Sequence, residues 1–144
     1  SMTTLNRTAA ACCKPYTVHA CTDVTGFGFL GHLHEMMDGH ASCHIHASRL
    51  PVFSQALTYA NAFLLTAAGQ RNRNHTGPFV RFEGVPFAME EVLFDPQTSG
   101  GLLIALPAEE APRLLHDLCA AGLPAAAVGE IMAASATEIL VTAL

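Results

Sequence analysis

The chain has no tryptophan, two tyrosines and few charges, which make up 13% of its 144 residues. Lysine and arginine number seven against twelve acids, for a net charge of −5. A chain with this balance lacks the basic surface a nucleic-acid partner requires. Long apolar runs are missing as well: Leu102 to Leu106 and its neighbours fall far short of a membrane span. No basic leader with an apolar core and cleavage site is read at the start, so no secretion signal is expected. The five cysteines are an odd number and show no C-x-x-C pair, which fits reduced thiols better than a disulfide framework. The expectation is a cytoplasmic protein with no membrane partner. Cys12 and Cys13 are adjacent, but two ordinary thiols explain them more simply than a redox pair.

What the chain has is apolar residues, 51% of the total, enough for one domain (1–144) with a sizeable core. So low a charge fraction also suggests surface that a partner or second domain covers. The chain is organised around residues 20 to 37. Val18 to Val24 alternates and carries β-branched residues, so it reads as a short strand ending near a lone acid, Asp23. Thr25 is a plausible N-cap, and an apolar period through Phe27, Leu30 and His34 predicts a helix. A carboxylate at a strand end, beside the amide-rich start of a helix, suits a divalent cation and the phosphates it carries. A helix cap is the alternative role for Asp23.

Gly26-Phe27-Gly28-Phe29-Leu30-Gly31 is also a literal G-x-G-x-x-G. A dinucleotide site needs an acid about 20 residues further on, yet after Asp38 the next acid is Glu83. The following strand candidate carries His44, His46 and Arg49 instead. The plainer expectation is that Gly28 and Gly31 let the helix pack closely on a sheet.

Thr22-Asp23-Val24-Thr25-Gly26-Phe27-Gly28, with Leu30-Gly31-His32, resembles a motif in the second domain of the selenophosphate synthetases (selenide, water dikinases). Phe94-Asp95-Pro96-Gln97-Thr98-Ser99-Gly100-Gly101-Leu102-Leu103 resembles another, in the same order. The whole chain is thus similar to the C-terminal domain of that two-domain family, whose architecture is shared with purine-synthesis and thiamine-phosphate enzymes. The resemblance implies a reaction of ATP, selenide and water giving selenophosphate, AMP and phosphate, with Mg2+ and a monovalent cation such as K+. It implies Asp23 as a metal ligand, and Thr22, Thr25, Gly26, Thr98, Ser99, Gly100 and Gly101 as the wall facing metal and phosphate. No catalytic residue is expected here, since the family's glycine-rich loop with its reactive cysteine or selenocysteine and lysine has no counterpart in these residues. The expected partners are the enzyme's own N-terminal domain, ATP and selenide, and a second copy in a homodimer. An opening on a helix, rather than a tail, reads as an excised piece. Two rival classes stand beside this: a related purine- or thiamine-pathway enzyme, and a non-catalytic dimerisation module.

Residues 2 to 13 predict a helix ending before Pro15. His32, His34, His40, Cys43, His44 and His46 raise the question of zinc, but on one helix and one strand no four ligands converge. Surface or hydrogen-bonded histidines are expected. Val52 to Leu65 predicts a helix with Phe53, Leu57, Ala60 and Leu64 on one stripe. Gly69 to Asn74 reads as a loop with Arg71, Arg73 and His75 as solvated cations, and its end, Arg73-Asn74, resembles the family. Phe79 to Phe82 predicts a strand, Glu83 to Pro86 a turn, and Leu102 to Leu106 a buried strand. A helix over Glu109 to Ala121, with Leu114, Leu115 and Leu118 inward, is stopped by Gly122. Strands are expected at Ala125 to Ile131 and Ile139 to Thr142, and Glu138 shows no partner. The pattern predicts an α+β domain: a mixed or mostly antiparallel sheet packed with helices.

Overall fold

A computed structural model describes residues 2–144. The helices are α1 (Arg7–Cys13), α2 (Gly28–Met37), α3 (Ser54–Asn61), α4 (Ala67–Thr76), α5 (Phe87–Phe94) and α6 (Ala111–Ala120). The strands are β1 (Ala20–Asp23), β2 (Ala41–His46), β3 (Val80–Glu83), β4 (Leu102–Ala105), β5 (Gly129–Ala133) and β6 (Ile139–Thr142). Among the described residues no helix is long and apolar enough to cross a membrane.

Two sheets result, and the fold is α+β. The larger has the order β3-β6-β2-β5, with β6 parallel to both β2 and β3 and β5 antiparallel to β2. The last strand in sequence is therefore an inner one, which accounts for its uncharged Ile-Leu-Val-Thr. Ile139 and Val141 are fully buried on the face that meets the helices, beside Cys43 and Ile45 of β2. Onto that face α2 brings Leu30, Leu33 and Met37, and α5 brings Leu93 and Phe94. Strand alternation sends Ser42, His44 and His46 to the opposite face.

The smaller sheet is a single antiparallel ladder, β1 with β4, in which Asp23 lies opposite Leu102. An antiparallel partner removes the βαβ setting that a dinucleotide fingerprint needs. α6 buries Leu114 and Leu118 and packs on α1, where Tyr16 donates its hydroxyl proton to Asp117. Gly122 follows at φ +76, as its role in stopping the helix demands.

Several expectations are corrected. The segment read as a loop at 69–74 lies inside α4, because the Thr66 hydroxyl accepts from the Gly69 amide and starts a helix there. α5 has no counterpart in the sequence reading: buried Ala88, Glu91, Leu93 and Phe94 are spread around it rather than striped. The helix predicted for 52–65 is shortened to α3. Of its stripe, Ala60 is buried, while Phe53 and Leu64 are 67% and 68% exposed.

Candidate metal- and phosphate-facing site

The two glycine-bearing motifs form one interlocked unit at the open end of the β1–β4 ladder. Beyond Asp23, the Val24 amide donates to the Gly101 carbonyl (3.0 Å) and the Gly100 amide donates back to the Val24 carbonyl (2.9 Å). The Thr25 carbonyl then accepts from the amides of Gly28 (3.1 Å) and Gln97 (2.9 Å). Backbone contact this close explains the glycines. A Cβ on Gly100 would lie 2.9 Å from the Val24 carbonyl oxygen, and Gly101 sits at φ +88. A Cβ on Gly28, itself at φ +71, would stand 2.7 Å from the Phe94 carbonyl oxygen. Both real Cβ sterics and the positive φ exclude other residues there.

Side chains complete the lock. The Asn72 amide on α4 donates to the carbonyls of both Gly26 and Phe94, each at 2.9 Å, and so ties one motif to the other. The Asp95 carboxylate accepts from the Thr66 hydroxyl at 2.7 Å, which fixes the start of α4 against the second motif. Neither role was legible in the sequence. Asn72 sits among charged residues in a stretch with no apolar period, so nothing marked it as a residue facing inward.

Thr25 is not an N-cap. α2 begins at Gly28 without a side-chain cap, and the Thr25 hydroxyl instead meets Nε2 of His32 at 3.2 Å. The other ring nitrogen of His32 meets the Glu35 carboxylate at 3.0 Å. His32 is 7% exposed, so this chain of three groups holds the Thr25 hydroxyl in one orientation.

Asp23 is exposed at the end of β1, and its carboxylate caps no helix among the described residues. The Thr22 hydroxyl donates to the Asp23 carbonyl at 3.2 Å, so it supports the backbone of the acid. Thr98 is exposed and Ser99 half-buried on the neighbouring turn. Pairing of Val24 with Gly100 and Gly101, and of Thr25 with Gln97, thus sets the stretch from Thr22 to Gly26 beside the turn from Thr98 to Gly101. A magnesium ion needs only one or two protein carboxylates when phosphate oxygens and waters fill its remaining positions. A single exposed acid at the open end of the ladder fits that donor set.

Arg73 is not a solvated cation. Its guanidinium reaches the carboxylates of Glu90 and Glu91, both at 2.7 Å, and lies 5.2 Å from the Phe94 ring centre. Glu91, 6% exposed, also accepts from the Gln70 amide at 2.6 Å. These residues brace α4 on α5. Glu138 has a partner as well, Nδ1 of His34, whose ring stacks on Phe79.

The family described as AIR synthase related protein, C-terminal domain, matches residues 1–142. A selenide, water dikinase of Agathobacter rectalis is 57% identical over 133 residues, covering 92% of this chain and 39% of that protein. One from Desulfitobacterium hafniense (strain Y51) is 46% identical over 140 residues, 97% of this chain and 41% of that protein. One from Pelobacter propionicus is 46% identical over 144 residues, 98% and 41% respectively. The chain therefore spans about two fifths of the length of the curated relatives it matches. With the motifs interlocked as described and the match running almost end to end, the chain belongs to the AIR synthase related C-terminal domain family.

Proposed function

We propose that this chain is the C-terminal domain of a cytoplasmic selenophosphate synthetase, which converts ATP, selenide and water to selenophosphate, AMP and phosphate. The observation that carries the reading is the pairing of Val24 with Gly100 and Gly101, which sets exposed Asp23 beside the turn of the second motif. In this reading Asp23 is a ligand to Mg2+ on the nucleotide phosphates. The held hydroxyl of Thr25, with Thr22, Gly26, Thr98, Ser99, Gly100 and Gly101, forms the facing wall. Bound magnesium would neutralise phosphate charge, and a monovalent cation such as K+ would add to that. The chain's own residues position: His32 orients Thr25, and Asn72 and Asp95 hold the two motifs in register. The nucleophile and the remaining metal ligands belong to an N-terminal domain of the same polypeptide, and the whole enzyme is read as a homodimer.

Docking of that domain is supported by the helical layer. Phe63 and Phe87 meet at a tilt of 39° with ring centres 5.3 Å apart, and Phe63 is 73% exposed. Phe63 also holds φ +57, a left-handed conformation costing about 1 kcal/mol for a residue with a Cβ. An exposed ring kept at such a position is explained by a partner surface.

The test is Asp23→Asn in the two-domain enzyme. The amide preserves size and a hydrogen-bonding oxygen but removes the charge a hard cation prefers. Turnover, followed as selenide-dependent AMP formation, should fall about a hundredfold or more, because each ~1.4 kcal/mol of lost stabilisation is a factor of ten. The melting temperature without nucleotide should stay put, while stabilisation by magnesium-ATP shrinks. Near-normal turnover with a lowered melting temperature would make Asp23 a structural residue.

A further inference from the structure

The sheet face that points away from the helices carries a cluster unrelated to the two motifs. His44 and His46, two apart on β2, share that face, and β5 places Glu130 directly opposite His44. One ligand atom from each of the three side chains lies within 4.8 Å of the others. The two imidazole centres are 4.4 Å apart, and Nδ1 of His44 stands 3.9 Å from the Glu130 carboxylate. Neither strand alone supplies this set, because the third ligand comes across the ladder.

The hydrogen bonds around the rings determine which nitrogens carry protons. The Thr142 hydroxyl donates its only proton to the Leu144 carbonyl at 2.6 Å. Its oxygen, 3.0 Å from Nε2 of His44, must then accept, so His44 is protonated on Nε2 and bears its lone pair on Nδ1, toward Glu130. The same Leu144 carbonyl, 2.9 Å from Nδ1 of His46, can only accept, which leaves the His46 lone pair on Nε2. Both rings are thus held in tautomers with a free lone pair, and each has the outer partner that metal-bound histidines usually have.

We propose that His44, His46 and Glu130 bind a divalent late first-row cation, zinc foremost, with water completing a tetrahedron. Two imidazoles and a carboxylate are an established open zinc donor set. Bonds of about 2.0–2.2 Å bring tetrahedral ligand atoms to about 3.3–3.5 Å apart. Small side-chain rotations close the remaining gap, and Glu130, 67% exposed, is free to make them. Cys43, buried on the other face with its thiol pushed up to about 12 by desolvation, takes no part.

The experiment titrates the chain at neutral pH with Zn2+ by calorimetry and with Co2+ by visible absorption. One cation per chain should bind, with the intense visible bands of four-coordinate cobalt and a raised melting temperature. His44→Gln with His46→Gln should weaken binding by about a hundredfold or more, and Glu130→Gln by about tenfold. Thr142→Val, which keeps shape but releases the His44 tautomer, should also cost about tenfold. Cys12→Ser combined with Cys13→Ser should bind as the parent does. Unchanged affinity in the double histidine variant, or no saturable binding by a chain that melts cooperatively, would overturn the site. Should the double histidine variant fail to fold, unaltered affinity in both Glu130→Gln and Thr142→Val would do the same.

Discussion

Cys43 shows how one side chain's surroundings set its chemistry. It sits on the core face of β2, 1% exposed, and desolvation, with the nearby Glu138 carboxylate, raises its pKa from 9.0 to about 12. At pH 8 its thiolate fraction should be about a thousandfold below that of an ordinary thiol, since each unit is a factor of ten. Exposed Cys119 should therefore react first with a limiting alkylating reagent, and Cys43 only on unfolding, as peptide mapping would read. The sign of the linkage follows. The folded state favours the neutral thiol, so this contribution to stability is intact below pH 9 and is lost as pH rises toward 12. Melting temperatures between pH 9 and pH 11 should fall less steeply in Cys43→Ala than in the parent. Equal slopes would show that Cys43 ionises as freely folded as unfolded.

At the scale of elements, the entry into α2 depends on one glycine more than on any cap. Gly28 and Gly39 flank the helix with nearly the same backbone, φ +71 and φ +68. They differ in room: a Cβ at Gly28 meets the Phe94 backbone at 2.7 Å, whereas at Gly39 nothing lies within 4 Å. Gly39→Ala should cost only the left-handed penalty, about 1 kcal/mol. Gly28→Ala adds a backbone clash and should cost about 3 kcal/mol or more, measured by urea unfolding. Equal losses would mean that the two motifs can separate without penalty. The sequence marked Gly28 as a packing glycine, and that was right in kind. What it packs against is Phe94 of the second motif rather than a sheet, because α5 intervenes.

For the whole molecule, the low charge fraction and the exposed aromatic residues of the helical layer predict weak self-association. The weight-average mass in sedimentation equilibrium should rise with concentration. Phe53→Glu with Leu64→Glu, both at exposed positions, should lower it toward the monomer value. A strict monomer at high concentration would count against a covered face there.

Period and punctuation determined much of this fold before any contact was known. β1, α2, β2, β3, β4, α6 and β6 lie close to where alternation, apolar stripes and the stop at Gly122 put them. Those signals are local, because a strand alternates at period two and a helix at 3.6 wherever it packs. Both motifs, and Asp23 within the first, were also visible as residues. Tertiary structure decided α4 and α5, whose helical form rests, beyond the local cap at Thr66, on Gln70, Asn72 and Arg73 of α4 reaching partners on α5. It alone gave His32 the task of holding Thr25, and set Glu130 beside His44 and His46. Pairing between distant segments depends on which strand finds which neighbour, and a one-dimensional pattern carries no such information when residues 44 and 130 are separated by most of the chain.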